Sequence, residues 1–380
     1  MSTVAIYLAL AGTFFWWVIL LAPWQAWRTR ELLEPNERLV GADTAARAFS
    51  EVTILIPARN EAQVIAQTLD GLLAQSHDLR IIVIDDQSDD NTAALASQKG
   101  AQVISGTSPP KGWSGKLWAL QQGLREAHTR YTLLLDADIT LAPGTLAALL
   151  DKAQQENLSL ISLMAKLSTE RFFERLLIPA FIFFFKLLYP FKLANDPASR
   201  MAAAAGGCML VETRALRAIN AFASIHDALI DDCTLAKKIK LAGFKTWIGL
   251  SHAAQSHRGY NRLGEIWNMV ARTAYTQLHY SLPLLLLCSM IMTSMFWFAP
   301  MSVILSSDTL FLVTGILAWL AMSVVYIPTL RFYRCSLLWV LTLPVIGTLY
   351  LMMTWTSAIR YWQGQRAQWK DRNYETPNNV

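Results

Sequence analysis

Charge is scarce in this chain. Of its 380 residues only 16% are Asp, Glu, Lys or Arg, while 53% are hydrophobic; ordinary soluble domains carry roughly 25% charged residues. The shortfall excludes a wholly soluble protein. It is concentrated in a few long apolar blocks, so a soluble part remains. Cysteine is sparse as well: Cys208, Cys233, Cys288 and Cys335 form no CxxC pair, which points to buried thiols and away from a disulfide framework or a zinc site. The six histidines make no HxxxH pair. Neither GxGxxG nor GxxxxGK[ST] occurs, so a bound nucleotide would not have its phosphates held by either glycine cradle. The net charge of +5 is modest, suits an anionic membrane surface, and does not call for nucleic acid.

Residues 4–22, 282–305, 309–330 and 336–359 are uncharged apolar runs, each long enough at 1.5 Å per residue to cross a hydrocarbon core of ~30 Å. Four membrane spans are expected. A cleaved signal peptide is the rival reading of the first, but no basic residue precedes it and Pro23-Trp24 is a poor small-residue cleavage site, which favours an uncleaved anchor. Arg28 and Arg30 follow this span directly. Positive charge therefore places residues 23–281, together with Arg331 and Arg334, on the cytoplasmic side. Four crossings would then leave Arg360, Arg366, Lys370 and Arg372 outside, against the rule, unless one C-terminal segment is re-entrant. The expected organisation is an anchor (1–27), a cytoplasmic domain (28–280), three spans (281–360) and a basic tail (361–380).

Between the first two spans the pattern changes to short β-branched runs separated by helical stretches. Residues 52–57 (VTILIP), 80–85 (RIIVID), 101–104 and 131–136 (YTLLLD) read as strands, apolar enough to be covered on both faces. Residues 61–74, 92–99, 117–127 and 144–157 read as the helices between them. This alternation predicts an α/β domain with a mostly parallel sheet, whose ligands bind at the carboxyl ends of the strands. The apolar block 171–193 is interrupted by Arg175 and Lys186, leaving too few residues between them to span. On a helical wheel Arg171, Glu174, Arg175 and Lys186 fall within about 120°, which predicts an interfacial helix with its polar stripe outward; a buried core helix is the alternative.

Two acidic clusters follow strands directly. Asp136 and Asp138 stand at i and i+2, a spacing that lets both carboxylates converge on one hard cation such as Mg²⁺ or Mn²⁺, which keeps water and substrate phosphates as its other ligands. A turn that caps the next helix is the plain alternative. In Asp85-Asp86-Gln87-Ser88-Asp89-Asp90-Asn91 the second half has a ready use as a helix cap, whereas Asp85 and Asp86 are left for a ligand, such as a base N–H or a ribose hydroxyl. Lys116 closes the loop SGTSPPKGWSGK at a helix start, where it can sit on a phosphate or simply be solvated. Asp231-Asp232 precedes an amphipathic stretch, so they read either as caps or as a carboxylate pair whose crowding makes a general base. Gly206-Gly207 permits close approach to the backbone.

In this order the pieces resemble a membrane-anchored family 2 glycosyltransferase with the GT-A fold. The resemblance covers about residues 50–280. Pro57-Ala58-Arg59-Asn60-Glu61 stands where that family has P-x-x-N-E, Asp85-Asp86-Gln87-Ser88 resembles its D-D-x-S stretch, and Gly115-Lys116-x-x-Ala119-Leu120 resembles G-K-x-x-A-L. The resemblance implies Pro57, Arg59, Glu61, Asp85 and Asp86 at the nucleotide, with Asp86 on the base. It implies Lys116 near the diphosphate, Asp138 on a divalent metal (Mn²⁺ or Mg²⁺) with Asp136 beside it, Gly206 and Gly207 at the acceptor, and Asp232 as catalytic base with Asp231 as its neighbour. Of the Q-x-x-R-W motif of processive relatives only Arg272 is present, which argues against polymer synthesis and leaves Arg272 as a candidate catalytic residue beside Lys116 at the leaving diphosphate. The anchor, the Phe-rich block, the C-terminal spans and the Trp369–Arg372 segment further resemble hopene-associated glycosyltransferases (HpnB type).

What the resemblance implies is an inverting enzyme of the bacterial inner membrane that moves a sugar from a nucleotide-diphosphate sugar, UDP-linked by family habit, to a membrane lipid acceptor, possibly hopanoid-related. Two rival functions fit parts of the sequence. Leu133-Leu134-Leu135-Asp136-Ala137-Asp138-Ile139-Thr140 matches hhhhDxDxT, the nucleophile motif of haloacid-dehalogenase-like phosphatases, although those carry it on their opening strand. A non-catalytic membrane scaffold is the other, and no missing acid favours it.

Overall fold

The computed structural model describes residues 3–35, 49–305, 308–365, 368–369 and 372–373; Arg366, Lys370 and Asp371 of the expected basic tail lie outside the described residues. The chain divides into two compact units. One gathers Met1–Arg30, Thr169–Pro190 and Tyr260–Arg366, and the other Glu31–Ser168, Phe191–Gly259 and Ala367–Val380.

The second unit is the α/β unit, and its fold is GT-A-like. Its strands are β1 (Val52–Ala58), β2 (Arg80–Asp85), β3 (Gln102–Ser105), β4 (Tyr131–Leu135), β5 (Ile139–Leu141), β6 (Leu160–Lys166), β7 (Cys208–Glu212) and β8 (Thr246–Ser256). They form one sheet in the order β3-β2-β1-β4-β7-β6-β8-β5. Pairings β1–β2, β1–β4, β2–β3 and β6–β8 are parallel; β4–β7, β6–β7 and β5–β8 are antiparallel. Alternate residues of each strand enter different cores: Ile54, Ile56, Val83, Leu133 and Leu210 one of them, and Leu55, Ile82, Ile84, Leu134 and Met209 the other. Period-two alternation with both faces apolar is what a sheet covered on both sides requires.

The link between β4 and β5 shapes the site. The strand expected to run to residue 136 ends at Leu135, and Asp136-Ala137-Asp138 turns directly into β5, with the Ile139 N–H bonded to the Asp136 carbonyl at 3.1 Å. Yet β4 and β5 are four places apart in the sheet, which would be ~19 Å if it were flat, whereas the link reaches at most ~14 Å. The sheet must curl, and the long β8 does so: its start pairs with β6, its end with β5, and its register on β6 shifts between Met164 and Lys166. The end of β8 is thereby delivered to Asp138.

Among the described residues of the first unit, four helices are long and apolar enough to cross a membrane: Val4–Leu21, Leu282–Ile304, Thr309–Phe332 and Leu337–Trp362. The second is interrupted by a π-helical turn at Ser294–Phe298, against which the first is fixed by Trp16 Nε1 donating to the Met295 carbonyl at 2.9 Å. The block expected to lie in the interface forms a helix over Phe172–Leu188 with a different outward face. Glu174 and Lys186 are each 1% exposed, so the polar stripe does not point outward as one. Glu174 accepts from the backbone N–H groups of Glu170, Arg171 and Tyr260, and Lys186 donates to the Arg28 carbonyl. Helical spacing put the four charges together; backbone groups of neighbouring segments, which the wheel does not contain, drew two of them inward.

Candidate active site

The site is built at the carboxyl ends of β1, β2 and β4. Where β1 ends, Arg59 turns toward the end of β2 and its Nη1 donates to the Asp86 and Gln87 carbonyls at 2.6 and 2.9 Å. Asn60, with φ of 52°, and Gln87, with φ of 58°, mark the two sharp turns, which are tied together by Asn60 N–H to Ser88 Oγ at 3.0 Å and Asp89 N–H to Asn60 Oδ1 at 2.9 Å. Asp86 is fully buried, while Asp85 is half-buried and its Oδ2 accepts from the Ser88 N–H at 3.4 Å. The capping use expected of the second half of this cluster falls to Asp90. Its carboxylate takes the Thr92 and Ala62 N–H groups, and despite the desolvation that opposes it these bonds hold Asp90 below its ordinary pKa.

One pocket gathers residues from five separate stretches of sequence. Pro57, Lys116, Asp136, Gly206, Asp231 and Asp232 line it, above an apolar wall that includes Leu117, Met209, Phe222 and Leu235. Lys116 stands in the first turn of the helix Gly115–Leu124, and its Nζ is 2.6 Å from Asp136 Oδ1. Asp231 and Asp232 open the helix Asp231–Leu241, whose N-cap residue Ile230 makes no side-chain bond to it. Instead Asp232 Oδ2 accepts the Gly206 N–H at 2.9 Å and Oδ1 the Cys233 N–H at 2.7 Å. A Cβ on Gly206 would lie 3.4 Å from Lys116 Nζ and 3.5 Å from Asp232 Oδ2, so glycine leaves the approach to both groups open. Gly207 accepts the Asp136 N–H at its carbonyl at 3.0 Å and thereby registers the two sides of the pocket.

The electrostatics follow from three carboxylates around one ammonium. Burial opposes the charge on Lys116, but Asp136, Asp231 and Asp232 hold its pKa above the ordinary value. Burial pushes Asp136 up, with Lys116 opposing and Asp138 adding to the rise. Asp232 is pushed up to about 6, first by burial and then by the charge of Asp231, against the N–H of Cys233, Lys116 and the N–H of Gly206. A carboxylate held near 6 is poised to take a proton at neutral pH.

Asp138 lies beyond this pocket's lining and is held by residues that the motif reading did not single out. Ser256, His257 and Arg258 at the end of β8 all contact it, and Arg258 also pairs with Glu61 at 3.1 Å. Nothing in the local spacing of S-H-R-G-Y marks these residues; only the curl of β8 brings them here. Thr68 Oγ1 donates to the Ala137 carbonyl at 2.7 Å and fixes the link from the other side. Arg272 follows the helix Leu263–Ala271 and belongs to the other unit.

Among the described residues no group of three or more His, Cys, Asp and Glu forms a closed metal-binding cluster. Asp136 and Asp138 nevertheless offer hard carboxylate oxygens with side-chain exposures of 32% and 15%. That donor set fits a divalent ion which keeps several waters and substrate phosphates, and does not fit a closed structural metal site.

Residues 53–219 match the model of Glycosyl transferase family 2. A 4,4'-diaponeurosporenoate glycosyltransferase of Staphylococcus aureus (strain MRSA252) is 36% identical over 126 residues, covering 32% of this chain and 34% of that protein. The chain thus spans about one third of the length of the curated relatives it matches. The mannosyltransferase PcManGT from Pyrobaculum calidifontis, solved in complex with GDP-Man and Mn²⁺, shares the fold at a TM-score of 0.53 and 17% identity, covering 95% of this chain and 98% of that one. Glucosyl-3-phosphoglycerate synthase from Mycobacterium tuberculosis, solved with phosphoglyceric acid, gives 0.42 at 17% identity over 66% and 88%.

Proposed function

We propose that a chain with this family 2 domain is an inverting, metal-dependent glycosyltransferase that moves a sugar from a nucleotide-diphosphate sugar to a lipid acceptor in the membrane its four apolar helices occupy. The observation that carries the proposal is the convergence of Lys116, Asp136, Asp231 and Asp232 on one pocket, from positions as far apart as the helix after β3 and the helix before β8. A solvated lysine and three unrelated helix caps would have no reason to meet.

Asp85, Asp86, Arg59, Glu61 and Pro57 form the nucleoside end, with the Arg59 guanidinium bracing the turn that carries Asp86. Lys116 faces the diphosphate. A divalent ion at Asp136 and Asp138, when bound, supplies Lewis-acid stabilisation of the charge on the leaving diphosphate. Gly206 leaves room for the acceptor hydroxyl, whereas a Cβ on Gly207 would face Ile139 and Ala165. Asp232 accepts that proton as the oxygen attacks the anomeric carbon from the face opposite the diphosphate, a contribution of ~10²–10⁴-fold for a placed base. The Gly206 and Cys233 N–H groups aim its two oxygens. A second observation supports an apolar acceptor: the wall beside Asp232 is made of Leu117, Met209, Phe222 and Leu235. The relative named for diaponeurosporenoate, an apolar acid, agrees with it. A hopanoid-related lipid and a UDP-linked donor are the finer readings. The basic residues Arg28, Arg30, Arg331 and Arg334 support a reading in which the catalytic side faces the cytoplasm of a bacterial inner membrane.

Asp232→Asn tests the assignment. It is expected to abolish nucleoside-diphosphate release in the presence of a membrane lipid extract while leaving nucleotide-sugar binding, read by calorimetry, at the wild-type level. Retained turnover would remove Asp232 from the role.

A further inference from the structure

Three consecutive residues at the end of β8 close on Asp138. Ser256 Oγ donates to Asp138 Oδ2 at 2.9 Å, the His257 N–H to the Asp138 carbonyl at 2.8 Å, and Arg258 Nε lies 3.5 Å from the same Oδ2. The far side of the guanidinium donates from Nη2 to Glu61 Oε1 at 3.1 Å. One cation thus joins a carboxylate that follows β1 to a carboxylate of the link after β4. The two carboxylates are largely buried, with 12% and 15% of the side chain exposed, whereas the Arg258 side chain is 45% exposed. Of the three side chains the arginine is the one most open to solvent.

A divalent ion on Asp138 would stand within a few ångströms of this guanidinium. Like charges this close repel, and a divalent ion doubles the repulsion that a single charge would feel. The ion and Arg258 therefore compete for one carboxylate. A diphosphate is the ligand that resolves the competition, because its oxygens accept a guanidinium's paired N–H groups. We propose that Arg258 is a tethered counter-cation: it covers Asp138 and Glu61 in the ligand-free chain and yields Asp138 when a nucleoside diphosphate takes its guanidinium. Cation and nucleotide then assist each other's binding by the same factor. Arg258 acts here as a positioning residue, and the inference rests on the cation reading of Asp136 and Asp138 given above.

The test is Mn²⁺ binding to the full-length protein in detergent, read by the electron paramagnetic resonance signal of free Mn²⁺, with and without UDP or GDP. For Mn²⁺ alone, Arg258→Gln is expected to bind about fivefold or more tightly than wild type, and its gain on adding nucleotide is expected to be smaller by a similar factor. Arg258→Lys, which keeps the charge but not the paired N–H groups, is expected to bind Mn²⁺ alone as weakly as wild type, and this rescue separates the proposal from a loss of packing. Mn²⁺ bound equally well or more weakly by Arg258→Gln would overturn this inference and leave the proposed function standing. Absence of Mn²⁺ binding to wild type, with either nucleotide present, would overturn both.

Discussion

At the scale of single residues, the role proposed for Asp232 sets the expected pH response. Its carboxyl is pushed up to about 6 by burial and by Asp231, and a general base works only in its ionised form. Turnover is therefore expected to be level above that value and to fall as pH drops through about 6, close to tenfold per unit below it; a rate profile on saturating donor checks this, and a limb near 4 would show an unperturbed acid instead. Gly206 makes a steric prediction. A single methyl there meets Lys116 Nζ and Asp232 Oδ2 at ordinary contact, so Gly206→Ala should retain much of the activity. Gly206→Val must displace one of those groups and is expected to lose about 10²-fold in turnover, the scale of an ångström's misplacement. Lys116, Asp136 and the Asp231-Asp232 pair were legible in the sequence because each stands just after a strand or at a helix start. Arg258, Ser256 and His257 were not, since their nearness to Asp138 is created by the curl of one strand.

At the scale of elements, the opening βα repeats read directly from the chain: the runs VTILIP, RIIVID and YTLLL are β-branched and apolar, and the sheet buries them on both faces. The later strands were harder. LISLMAK and CMLVE are short apolar runs whose periodicity does not distinguish strand from buried helix, and β7 enters the sheet antiparallel between β4 and β6, a choice set by tertiary pairing. The helix Phe172–Leu188 shows the same limit, as its charges answer to the Arg28 carbonyl and the Tyr260 N–H rather than to solvent. Within the apolar unit the first helix fits the π-helical turn closely enough that a Cβ on Gly12 would fall 2.1 Å from the Ser294 carbonyl oxygen. Backbone must shift to admit any side chain. Gly12→Leu is expected to cost about 1–3 kcal/mol, seen as a lower unfolding temperature in detergent; an unchanged transition would mean that the two helices are not held in contact.

At the scale of the whole molecule, the proposed reaction pairs a soluble donor with an acceptor that is not. Charged residues are few in the four long apolar helices, where a bilayer would exclude them. The most direct test incubates the purified full-length protein with a panel of nucleotide sugars and bacterial lipid extract, with Mn²⁺ or Mg²⁺ and with chelator, and reads the lipids by mass spectrometry. The account predicts a lipid heavier by one hexose-class unit, formed only with metal present and absent with Asp232→Asn. Sugar transfer undiminished by chelator, or phosphate released from donors with no glycosylated lipid formed, would contradict it.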